Sequence, residues 1–161
     1  MERRKSTLVL QVFALSLCAA MSANAADSRQ IDLPTRTRGA RKIVVAKAVS
    51  VTPGWRTTEH GDRLIVSQVA LQVEETFKGT PASLVWLEVE GGTIDGVTLE
   101  VSSLTPMKAG ERAVFFLDET SSGVHLPHLK GMGIMKLDAN DRIQGSSLRL
   151  EEVRRQVLSV R

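Results

Sequence analysis

The stretch Leu64–Glu90, LIVSQVALQVEETFKGTPASLVWLEVE, decides the fold. In its first half Val69, Leu71 and Val73 alternate with Ala70, Gln72 and Glu74. In its second half Val85, Leu87 and Val89 alternate with Trp86, Glu88 and Glu90. A period of two sends successive side chains to opposite faces of a pleated chain, so each half reads as a strand with one dry and one wet face. Lys78-Gly79-Thr80-Pro81 between them supplies turn residues.

Working outward, the upstream run Ile43–Val51 (IVVAKAVSV) is rich in β-branched residues and is expected to end at the turn signal Pro53-Gly54. Thr57–Asp62 (TTEHGD) reads as a polar loop. Downstream, Gly91–Gly96 reads as a loop, after which Val97, Leu99 and Val101 alternate with Thr98, Glu100 and Ser102. Ala113–Leu117 (AVFFL) is apolar throughout, the pattern of a strand buried on both faces. Ile134–Leu137 and Arg142–Gln144 flank Asp138-Ala139-Asn140-Asp141 as a hairpin with a polar turn. Leu150–Val160 then changes period: Leu150, Val153, Val157 and Val160 form a helical stripe. Glu151 and Glu152 sit in its first turn, where they complement the helix dipole, and Glu151 stands four residues before Arg155. So short a helix must dock on the sheet to persist. The expected fold is all-β: a small five- or six-stranded Greek-key barrel of OB type with a C-terminal helix, with a sandwich as the alternative.

The N-terminus carries a different kind of signal. Arg3, Arg4 and Lys5 precede the apolar run Leu8–Met21 (LVLQVFALSLCAAM), and Ala23-Asn24-Ala25 follows. A cationic head, an apolar run and an A-x-A site make a secretory signal peptide over residues 1–25. The apolar run is too short to cross ~30 Å of hydrocarbon, so no integral membrane segment is expected after cleavage. Leu17 before Cys18 does not suit lipoprotein processing. The expected mature chain starts at Ala26, is periplasmic or secreted from a bacterium, and has no cysteine, which excludes disulfides, metal thiolates and thiol nucleophiles. Residues 26–41 (ADSRQIDLPTRTRGAR) lack both periodicities and read as an extended, mobile basic lead-in. Residues 42–161 read as a single domain.

Removing residues 1–25 takes Arg3, Arg4, Lys5 and Glu2 from totals of 21 basic and 18 acidic side chains, leaving 18 against 17. That balance does not supply the cationic surface a nucleic-acid binder needs.

Three segments carry a resemblance. Phe77-Lys78-Gly79, Gly91-Gly92, and Met107-Lys108-Ala109-Gly110-Glu111-Arg112-Ala113-Val114-Phe115-Phe116-Leu117 resemble segments of small exported bacterial proteins similar to the netrin and metalloproteinase-inhibitor (NTR/TIMP-like) branch of the OB fold. The resemblance covers about Ile43–Leu117 and implies the same barrel. The animal inhibitors of that branch chelate a protease zinc through an N-terminal cysteine, which the chain from Ala26 onward lacks.

Candidate chemistry is sparse. His125-Leu126-Pro127-His128 is the one cluster of metal-ligand type, with Pro127 arguing for a loop or strand and exposed loop histidines as the simpler reading. His60 is a lone histidine. The serines sit beside turn signals and none lies in a G-x-S-x-G elbow, so no catalytic residue and no cofactor is assigned. Trp86 shares the polar side of its strand with Glu88, and Trp55 is the second tryptophan. A Trp there is either a stacking platform or is covered by a loop or the C-terminal helix, and the area it gains by burial favours cover. The expected function is a non-enzymatic exported binding domain using Trp86, Glu88 and Trp55 to engage a protein or envelope partner, with no nucleic acid. The alternatives are a metal-dependent hydrolase using His125 and His128, a protease-inhibitor-like module, and an envelope protein whose basic N-terminus touches anionic lipid or polymer.

Overall fold

In the computed structural model, residues 32–102, 104 and 106–160 are described; residues 1–25, the expected signal peptide, and residues 26–31 of the expected lead-in lie outside them. The elements are helix α1 (Leu33–Gly39), strands β1 (Lys42–Thr57), β2 (Arg63–Lys78), β3 (Leu84–Glu90), β4 (Gly92–Ile94), β5 (Val97–Leu99), β6 (Arg112–Glu119), β7 (His125–Pro127) and β8 (Ile134–Lys136), and helix α2 (Leu150–Ser159). A 3-10 turn over Lys130–Gly133 precedes β8.

Hydrogen bonding runs β1-β2-β3-β7-β6 and returns through a β6–β1 pairing, so these strands form a ring, with β8 added outside β6. Each contact in the ring is antiparallel except β3–β7, where Leu87 faces His125 in parallel. This is the small all-β barrel the alternation predicts, and it leaves the ring strands no free edge along their paired lengths. Inside it pack Val44, Ala46, Val69, Leu71, Val85, Leu87, Phe115 and Leu117.

A second core lies outside the ring. Ile43, Val45, Val114 and Phe116 face away from the interior and are covered by Leu33 and Ala40 from the α1 segment, by Leu150, Val153 and Val157 of α2, and by Leu137 and Ile143. AVFFL is thus buried on both faces, and so is the Ile43–Ala46 end of β1. Glu75 of β2 pins α2 through Arg154, which also bonds Glu151. Arg112 of β6 holds Glu74 and Asp141, each at 2.7 Å, so the 138–141 turn is tied to the ring. That turn closes through the Asp138 carboxylate, which accepts the Asn140 and Arg142 amides.

Several expectations need correction. Leu33–Gly39 is helical, not extended: Pro34 sits in the first turn, where its missing N–H costs nothing, and Leu33 and Thr37 are buried. Short spacing hid the period, because two turns show only one apolar residue. β1 does not stop at Pro53-Gly54 but runs to Thr57, and Thr58–Asp62 makes the turn. Pro53 is tolerated because β6 borders β1 only over Lys42–Lys47, so no neighbour there needs its amide. Gly92–Leu99 is a separate two-stranded hairpin with Val97 exposed, and its turn residues Asp95 and Gly96 both have positive φ, 51° and 78°. Asp-Gly is the favoured pair for that turn. In α2, Glu151 pairs with Arg154 in place of Arg155. Val160 caps the helix and is only half-buried.

Candidate functional site

Two surfaces carry candidate chemistry. The first is the outer wall of β2 and β3. Register places Trp86 opposite Ala70, and Glu88 opposite Gln68, on the face away from Leu87 and Val69. Trp86 is 52% exposed, so neither a loop nor α2 covers it, contrary to expectation. α2 instead lies on the β1–β6 side, where Ile43, Val114 and Phe116 form a wider apolar wall for its stripe. Leu84, two residues along β3, is 47% exposed, and Leu126 of β7 stands beside Glu88 on the same face and is 41% exposed. Leu84, Trp86 and Leu126 therefore make an apolar strip backed by Ala70. Glu88 is held by Arg56, which reaches it across the Gly54–Val66 pair.

Trp55 does not join them. It is opposite Ile65, on the same side as Val51 and the barrel interior, at the tip of the long β1–β2 hairpin. Its ring lies under Arg63, 4.5 Å from guanidinium carbon to ring centre. The structure thus brings Trp86 and Glu88 together, leaves Trp55 on the other face, and adds Arg56, which the sequence reading missed. The alternation that located Trp86 also locates Arg56, once β1 is extended past Pro53.

The two histidines separate as well. His125 opens β7 opposite Leu87 and Glu119, which puts its ring on the inner side, at the mouth of the barrel bounded by the N-terminal end of β1. It is buried, and neither ring nitrogen has a hydrogen-bond partner. A buried polar atom left in that state costs about 1–3 kcal/mol. His128 lies on the outer side: its Nδ1 meets the Asp118 carboxylate at 2.9 Å, and its ring packs on Gly39 of α1, where an added Cβ would fall 2.3 Å from Nε2. The two imidazoles occupy opposite faces of the wall and share no ligand geometry. They are not exposed loop histidines either; each is anchored by the barrel. Asp118 is the partner for His128 that the sequence did not reveal, because the two meet only through the β6–β7 pairing.

The opposite mouth holds a cavity of about 200 Å³, lined by Val51, Val69, Val89, Leu99, Leu104 and Met107 among others. The 106–111 segment borders it through Pro106 and Met107, fastened by Lys136 Nζ to Pro106 O (2.7 Å) and to Glu111 (2.8 Å). Gly92 is required there. Its φ is +136°, and a Cβ would stand 2.6 Å from Ser67 Oγ, whose hydroxyl donates to Gly91 O. Burial raises the Glu111 carboxyl, but bonds from Lys136 and the Lys108 amide, with both lysine charges, outweigh it and hold it below its ordinary value.

Among the described residues no group of three or more His, Cys, Asp or Glu side chains is placed to hold a metal ion, and no helix is long and apolar enough to cross a membrane. Comparison with protein-family models and with curated proteins finds no match for this chain.

Proposed function

We propose that this chain is an exported, non-enzymatic binding module of the OB class, similar to the NTR/TIMP-like branch, and that it engages a protein or envelope partner through the outer wall of β2 and β3. The observation that carries this reading is the exposure of Trp86 in a strip with Leu84 and Leu126, on a wall that nothing else in the described chain covers. OB barrels typically bind on the face of their second and third strands, between the loop joining strands one and two and the loop joining strands four and five. Here those loops correspond to residues 58–62 and 120–124, and Trp86 lies on that face. Glu88 and Glu90 on the same strand disfavour a polyanion such as nucleic acid. An exposed Trp with an Arg held beside it by Glu88 presents two of the residue types enriched at interaction hot spots.

The chain expressed at full length and recovered as its exported product, compared with the Trp86→Ala protein in pull-downs from envelope and secreted extracts, tests this. A specific partner held by the native protein and lost by the variant supports the reading. Equal recovery on both, or none under several conditions, overturns it.

A further inference from the structure

We propose that the barrel mouth bounded by the N-terminal end of β1 is a binding site for an oxyanion, a phosphate or phosphate-ester group. It is separate from the Trp86 wall and does not depend on it. The mouth opens on a cleft of about 540 Å³ whose walls carry Arg38, Arg41, Lys42 and Lys78, with Glu119 as the lone carboxylate on its lining. The cations converge from three segments because the β2–β3 turn closes tightly on β1: a Cβ at Gly79 would stand 3.1 Å from Arg41 O.

Among the described residues, none of those four cations is in an ion pair. Their bonds go to neutral oxygens. Lys42 Nζ donates to Thr80 O, Lys78 Nζ to Thr37 O at 2.8 Å and Arg38 O at 3.2 Å, and Arg38 to Thr35 Oγ1 at 3.3 Å. By contrast Arg56, Arg112, Lys136 and Arg154, on other parts of the barrel, are each met by a carboxylate. Four cations thus gather at one mouth with a single carboxylate, Glu119, on the same lining.

The second, independent observation is His125. It lines the same cleft, is 8% exposed, and leaves both ring nitrogens unpartnered. Native proteins rarely bury a polar ring in that state without a purpose. An imidazole N–H in the same lining as guanidinium and ammonium groups is a donor set for oxygen anions, and those cations repel a metal ion. The cleft exceeds the size of a bare phosphate, so the group is expected to be carried on a larger molecule.

Calorimetric titration of the full-length chain's exported product with inorganic phosphate and with glycerol phosphate tests the site. In parallel, flotation with phosphatidylcholine vesicles, with and without phosphatidylglycerol, separates a free phosphate compound from a lipid headgroup. Nitrogen-detected shifts of the His125 ring report on the site itself. Saturable binding that moves the His125 ring, and that weakens about tenfold or more in an Arg41→Gln/Lys42→Gln protein, supports the proposal. Both substituted positions lie outside the core, so the variant tests the site without emptying the barrel. Binding only to phosphatidylglycerol vesicles, lost in the same variant, supports it with the lipid as source. A His125→Gln protein with native thermal stability must also bind more weakly. Binding that survives both variants, or no binding to any probe, overturns it.

Discussion

The two walls of this barrel are built from the same kind of ribbon and used differently. The β1–β6 wall is buried on both sides: Phe115 points into the ring, and Phe116 points out into a second core sealed by α1 and α2. The β2–β3 wall is dry inside, where Leu71 and Leu87 sit, and wet outside, where Trp86 stands in solvent. The doubly covered wall carries the stability, and the singly covered wall is free to carry an interaction. The difference is set by where the helices dock, and they dock where both faces of the strand are apolar.

The largest effects are expected on the covered wall. Phe116→Ala empties a fully buried site between β6 and the helices and should cost about 3–5 kcal/mol, read as a fall in the denaturant midpoint. Val153→Ala, fully buried under α2, removes less side chain and should cost about 1–3 kcal/mol in the same measurement. If either changed stability by no more than a surface substitution, the second core would not hold the fold. On the other wall, Trp86→Ala should leave the midpoint within about 0.5 kcal/mol of native while abolishing partner binding. A large loss of stability there would make Trp86 a packing residue and erase the contrast.

Much of the fold was legible in the sequence, and the reasons are local. The period-two runs in Leu64–Glu90 gave β2 and β3 with the correct residues inside, and AVFFL gave a strand buried on both faces. Leu150, Val153 and Val157 gave the stripe of α2. What was not legible depends on partners distant in the chain. Leu33 and Ala40 look unremarkable until α1 meets the outer face of β1. Pro53 reads as a terminator until half of β1 is known to lack a second neighbour. The site divided in the same way: Trp86 and Glu88 fell on one face as alternation requires, but Trp55 did not join them. The exposure of Trp86, the Arg56 contact, and the pairing of His128 with Asp118 all needed the ring to be closed.

A smaller effect distinguishes the two mouths. Because the folded Glu111 carboxyl is held below its ordinary value, its bridge to Lys136 stabilises the native state above the unfolded carboxylate pKa, about 4.3. That contribution is lost as pH falls through the depressed folded value. Glu111→Gln should therefore lower stability slightly at pH 7 and by less at a pH below the unfolded value, read from denaturant midpoints at both. An equal change at both would mean that the bridge does not fasten the 106–111 segment. The smallest effect is expected from Arg154→Ala, whose partly exposed pairs with Glu75 and Glu151 are worth roughly 0.2–1 kcal/mol together with some lost packing on Phe77.

Hydroxyl-radical footprinting of the folded protein, read residue by residue by mass spectrometry, tests the contrast between the walls most directly. Trp86 and Leu84 should be labelled at rates near those of the unfolded chain, while Phe115, Phe116 and Leu87 stay protected until global unfolding. Protection of Trp86, or labelling of Phe116 as fast as Trp86, would contradict a barrel covered by its helices on one wall and open on the other.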